Sequence, residues 1–211
     1  MVLPPVSSVA IVSLLVILTG LQSFWIARDD FKPEKSTVLP FVLPGLLGVP
    51  IGVMLLDAIN VQALRFCIAM LLITYGAYFS FRAVLPSVTA RTPKLDASVG
   101  LLSGVLGGMT SVSGAIPVMW LSMRPWTKGE IRAVLQPFNM LVLLATATLL
   151  FFKGAYNDMV LKALLVTIPV ALIASRFGVS VFKRLSDALF RRLLIVLSLL
   201  MGLGLLLQVV S

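Results

Sequence analysis

The sequence has no histidine and one cysteine, Cys67. Imidazole ligation of haem, Cys/His metal clusters, disulfide scaffolds and Ser-His or Cys-His nucleophilic catalysis all lack their residues. No metal site and no cofactor is expected, and an enzyme ranks last among the function classes because no nucleophile and base pair is visible. Charge is the second shortage. Only 12% of the 211 residues are charged, too few to cover a water-facing surface. The eight acids (Asp29, Asp30, Glu34, Asp57, Asp96, Glu130, Asp158, Asp187) all fall in loops or at the ends of apolar runs. A carboxylate relay for protons or sodium at mid-membrane is therefore not visible. Asp57 comes nearest to one, and its place before Ala58-Ile59-Asn60 suits a helix end.

Apolar residues fill the gap: 59% of the chain is hydrophobic and the mean hydropathy is +1.08. That excludes a soluble enzyme and makes the lipid bilayer the first partner. Six runs are long enough to cross about 30 Å of hydrocarbon as helices: 6–27, 37–56, 61–81, 131–152, 159–181 and 193–210. The first carries no Lys or Arg before it and no small-residue cleavage site after it, so it reads as a permanent helix. A seventh segment, 97–123, differs by carrying Gly100, Gly104, Gly107, Gly108 and Gly114, with Pro117 and several hydroxyls. Small residues let helices pack closely, but so many breakers together also fit an unwound or re-entrant segment walled off from lipid.

Basic residues favour the second reading. With seven full crossings the loops on the two faces hold eight Lys/Arg each; if 97–123 dips in and returns, the tally is thirteen against three. Cytoplasmic loops carry the excess, so the re-entrant arrangement places both termini outside. The net charge of +9 then reads mainly as topology. Because the cations are spread over loops, a nucleic-acid partner is not expected. Sliding the chain against itself adds a repeat: Pro44 falls on Pro169 at 125 residues, and Gly52 on Gly178, Arg65 on Arg191 and Gly76 on Gly202 at 126. The expected fold is an all-α polytopic membrane protein with two inverted three-helix repeats, residues 1–95 and 96–211, and a Gly-rich broken or re-entrant segment opening the second.

The candidate chemistry is anion binding. Amides of Gly107 and Gly108 at the start of a half-helix, with the hydroxyls of Thr110, Ser111 and Ser113 beside Gly114, suit a small oxyanion. The same hydroxyls can instead bond their own backbone one turn earlier. Gln136 and Asn139, three residues apart on one helix face, either glue helices or line a pathway. Arg176, about two turns inside its run, snorkels or attracts an anion. Trp25, Tyr78, Trp120, Trp126 and Tyr156 sit near span ends as interfacial anchors.

These residues resemble a known family. The stretch GLLSGVLGGMTSVSGAIPVMWL (100–121) resembles the Gly-rich segment that opens the second half of TauE/SafE sulfite-exporter-like transporters. LPGLLGVPIGVMLL (43–56) and PVALIASRFGVSVFKRL (169–185) resemble that family's duplicated pattern. The resemblance implies a multi-pass protein of the bacterial inner membrane that moves small anions such as sulfite or organosulfonates. Its motif falls here on Gly104, Gly107, Gly108, Ser113 and Gly114. The family has an equivalent Gly-rich segment opening the first half, and Met1 to Pro5 resembles the stretch immediately after that segment, so either the chain start is late or this member has lost half of its site. A homo-oligomer in which a second copy supplies the missing wall stays open, as does the alternative of a non-transporting membrane scaffold or assembly partner.

Overall fold

The computed structural model describes residues 4–26, 35–56, 60–80, 88–90 and 92–210. Asp57 and the loop charges Arg28, Asp29, Asp30, Lys32, Glu34, Arg82 and Arg91 lie outside them. Within them the chain forms eight helices: α1 (Pro5–Ile26), α2 (Lys35–Leu55), α3 (Val61–Ser80), α4 (Pro93–Thr110), α5 (Ala115–Ser122), α6 (Lys128–Phe152), α7 (Asp158–Arg184) and α8 (Asp187–Val210). Five of these, α1, α2, α6, α7 and α8, are long and apolar enough to cross a membrane, and α3 has a shorter apolar stretch, Phe66–Phe79. The protein is a polytopic helical membrane protein.

Local chemistry sets the helix ends. Thr127 and Glu130 form a capping box at the start of α6, each side chain serving the other's backbone amide. Asn157 Oδ1 caps α7 by accepting from Val160 N at 3.0 Å. Between them Gly154 takes φ +71°, a left-handed turn that a side chain would strain.

Polar contacts fix how the helices run. At one end of the bundle, Lys183 Nζ donates to Ile26 O (3.2 Å), Arg132 to Ser23 O (3.0 Å) and Lys128 Nζ to Phe182 O (3.0 Å). The last turns of α1 and α7 therefore meet the first turn of α6. At the other end Lys153 Nζ reaches Val53 O at 3.2 Å, joining the ends of α2 and α6. So α1 runs parallel to α7 and antiparallel to α6, while α2 runs parallel to α6. Phe41, Phe138, Val142 and Val49 form the core where α2 and α6 meet, with Ile131 and Leu150 nearby.

Glycine builds two seams. A Cβ on Gly104 would lie 1.9 Å from Gly45 O, one on Gly52 2.1 Å from Val105 O, and one on Gly100 2.3 Å from Phe41 O. The backbones of α2 and α4 are therefore in direct contact along three turns, an approach open only to glycine. The second seam joins α3 to α8, where a Cβ on Gly76 would meet Leu199 and one on Gly202 would meet Ile73.

Segment 97–123 does break, but later than its glycines suggest. Gly107 and Gly108 sit in the last turn of α4, where their amides belong to the helix rather than to a half-helix start. The reason is packing: Gly108 faces Val49 O and Gly107 faces Val142, so contact with α2 and α6 offsets a propensity penalty of about 1 kcal/mol per glycine.

Candidate functional site

The chain leaves helical geometry between Ser111 and Gly114. Ser111, the C-cap of α4, takes φ +60° and donates its amide to Gly107 O at 2.9 Å. Left-handed backbone on a residue other than glycine costs about 1–2 kcal/mol, and here it is held by the Ser111 hydroxyl donating to Val9 O of α1 at 3.0 Å. Two residues on, the Ser113 hydroxyl donates to Asn139 Oδ1 of α6 at 2.9 Å. Gly114 then starts α5, and a Cβ there would lie 3.1 Å from Asn139 Nδ2. That amide nitrogen has no acceptor among the described residues.

The expected site residues divide. Ser111, Ser113, Gly114 and Asn139 come together at the break. Thr110 bonds its own helix, Oγ1 donating to Leu106 O at 2.8 Å, although that oxygen also accepts from Val112 N. Gln136 turns toward α1, donating to Gly20 O at 2.6 Å. Arg176 is exposed on α7 and lines neither of the cavities beside Asn139 and Gln136.

Both of those cavities are also lined by Arg132. A cavity of about 300 Å³ is lined by Asn139, Gln136, Arg132, Thr19 and Ser23, with Phe182 and Phe190 as apolar walls. The half-buried Arg132 guanidinium donates to Gln136 Oε1 (3.2 Å) and Ser23 O (3.0 Å) and lies 4.7 Å from the centre of the Phe182 ring. Charge and amides thus form a row, from Arg132 at the bundle end through Gln136 to Asn139. The signal was the i, i+4, i+7 spacing of three polar residues on one apolar helix.

The two limbs of the break rejoin at their base. Arg124, buried, pairs with Asp96 at 2.7 Å, and Trp120 Nε1 donates to the same carboxylate oxygen at 2.7 Å. The guanidinium lies near the rings of Trp120 and Trp126, 5.6 and 5.2 Å from their centres. Besides their place near span ends, Trp120 bonds the Asp96 carboxylate and both indoles lie within cation–π range of Arg124. A third cavity, of about 500 Å³, adjoins this pair, with Ser36, Thr37, Thr92 and Glu130 in its wall.

A family model described as Sulfite exporter TauE/SafE matches residues 1–205 of the chain. No curated protein and no solved structure matches it.

Proposed function

The chain belongs to the TauE/SafE sulfite exporter family of membrane transporters, and from that premise we propose that it carries a small anion, such as sulfite or an organosulfonate, past the helix break at 111–114. The observation that carries this is the pairing of Ser113 with Asn139 beside the Arg132 cavity. Accepting from Ser113 orients the Asn139 amide so that its N–H donors remain for a ligand. The first-turn amides and the positive dipole end of α5 lie at the same place, where negative charge is favoured. Gly107, Gly108 and Gly114 make room for this arrangement rather than bind. Thr110 and Ser111 hold the tip, Gln136 bridges the cavity to α1, and Arg132 supplies the attracting cation in preference to Arg176.

The same reading makes 93–124 a re-entrant hairpin. An α4 of 18 residues is about 27 Å long, yet Asp96 near its start touches Arg124 beyond the end of α5. Both ends of the segment then face one side, the side to which this topology assigns thirteen of the basic residues, and this is the cytoplasmic side by the charge rule. Antiparallel α1 and α6 fit inverted repeats 1–95 and 96–211.

Flux in proteoliposomes tests the function. Radiolabelled sulfite or a small sulfonate should cross faster than in empty vesicles, and Asn139→Leu should remove the difference. Absence of flux for every small anion tried, with protein correctly inserted, would defeat the proposal.

A further inference from the structure

Arg176 has no place in the cavities beside Asn139, and its position on α7 gives it another. Lys162 and Lys183 stand about 32 Å apart along α7, close to the roughly 30 Å of a bilayer core, so Arg176 lies about two turns inside the span. Because α7 packs chiefly on α1, the helical repeat turns Arg176 away from Val160 and Leu164, which α7 buries. On that outer side Val170, Ile173 and Phe177 are each more than half exposed, as suits a surface that lipid covers. Arg176, Ser180 and Arg184 follow at four-residue spacing and so form one ridge of the helix, all three exposed. None has a hydrogen bond or ion pair among the described residues. The Ser180 hydroxyl differs in this from Thr167 on the same helix, whose hydroxyl donates to Ala163 O at 2.8 Å. The acid nearest in sequence, Asp187, accepts from Lys128 N at 3.0 Å, and Asp158 lies at the other end of α7. Lys183 is also engaged, donating to Ile26 O.

Two guanidiniums and a hydroxyl thus stand in line on the lipid side of the helix without an acceptor. Acyl chains supply none, and they leave the charge of Arg176 costly. A headgroup phosphate supplies what is missing. The long stem of Arg176 lets its guanidinium snorkel outward, and Arg184 meets the same phosphate from the water side through charge-assisted hydrogen bonds. Two unbalanced positive charges favour a headgroup of net negative charge over a zwitterionic one. We propose that the ridge of Arg176, Ser180 and Arg184 binds an anionic phospholipid, with its phosphate beside Ser180. Phe182, two residues further on, walls the Arg132 cavity, so the lipid would steady that wall from outside. The inference needs neither the transport reading nor the inverted repeats.

The test is photolabelling of the full chain in phosphatidylcholine vesicles. The probe is phosphatidylglycerol or, at equal dose, phosphatidylcholine, each with a diazirine on the acyl chain close to the glycerol, and adducts are located by mass spectrometry. On residues 169–181 the anionic probe should label about tenfold more than the zwitterionic one. On α8 between Leu197 and Leu207, an exposed stretch without cations, the two should label alike, which separates a local site from the general pull of a basic protein. Arg176→Gln with Arg184→Gln should remove the preference, and Arg176→Lys should keep part of it. Lys162→Gln, at the other end of α7, should leave it intact. All three positions are exposed, and unfolding by SDS verifies that each variant is folded. Equal labelling of 169–181 by the two probes, no labelling by either, or a preference that survives in the double variant would each overturn the proposal. So would Phe177→Cys, with Cys67→Ser, linking two copies of the chain across this face. The readout involves no flux, so its outcome is separate from that of the transport assay.

Discussion

Gly104→Ala is the sharpest test of how this bundle is held. The new Cβ would stand 1.9 Å from Gly45 O, against an ordinary carbon–oxygen contact of about 3.3 Å. Since α2 and α4 meet backbone to backbone, no side chain can rotate away, and the helices must part by about 1.4 Å. A gap of 0.5–1 Å already forfeits about a quarter to a half of the dispersion well of each facing atom pair. The Cα–H···O contacts along the seam, each about 0.5–1 kcal/mol, weaken together. Alanine returns up to about 1 kcal/mol of helix propensity, so the net loss should be about 2 kcal/mol, within the usual range for overpacking. Gly178→Ala is the matched control, because its Cβ meets open space and should leave stability unchanged or slightly raised. Reversible unfolding by SDS in mixed micelles measures both. If Gly104→Ala stays within about 0.5 kcal/mol of the parent, or the two variants shift alike, the seam does not carry the load assigned to it.

Four further outcomes are expected. Asn139→Leu should abolish anion flux while costing only about 0.6–1.7 kcal/mol in the same unfolding assay, the range for one hydrogen bond between membrane helices; a loss of both in proportion would mark Asn139 as glue. Arg132→Gln should weaken anion uptake about tenfold and Arg132→Lys less, with Arg176→Gln near the parent, and flux titrations against anion concentration would show it. Ser98→Cys and Pro125→Cys, both exposed positions, should react with an impermeant maleimide from the same side of the membrane; opposite accessibility removes the hairpin. Tyr75 and Ser122 hydroxyls meet at 2.5 Å, so cysteines there joined by a short bis-methanethiosulfonate should stop transport if α5 moves, and flux should return on reduction.

Much of the helical layout can be read from hydropathy because lipid demands long apolar runs, and six of the eight helices coincide with such runs. The break was legible in kind but not in place. Glycine has the same signature in a sequence whether it unwinds a helix or lets a neighbour approach, and only the partner helix decides between them. Gly100, Gly104 and Gly108 proved to be seam, while the turn fell on Ser111, where a hydroxyl bond to α1 holds a left-handed residue. Ser113 and Asn139 were both visible as polar residues inside apolar runs, but their pairing joins positions 26 apart. The pair of Asp96 and Arg124 was hidden for another reason: each is a loop charge by sequence, and each was already accounted for by topology.

The arrangement also decides which limb of the hairpin is free to move. Along α4, glycines contact the α2 backbone over three turns, and overpacking there has no inexpensive relief. By contrast α5 has eight residues, no side-chain cap at its start, and a proline in its first turn. Its attachments are discrete: Ser113 on Asn139 just before it, Tyr75 on Ser122 at its end, and the Trp120 and Arg124 clamp on Asp96. Hydrogen bonds can exchange partners with a ligand or water at small net cost, whereas a glycine seam cannot slide without losing contact throughout. An anion that takes the place of Asn139 Oδ1 as the acceptor of the Ser113 hydroxyl would therefore loosen α5 while leaving α4 fixed. On the proposed reading the break at 111–114 would act as a hinge, its fixed arm set by glycine and its moving arm released by the anion.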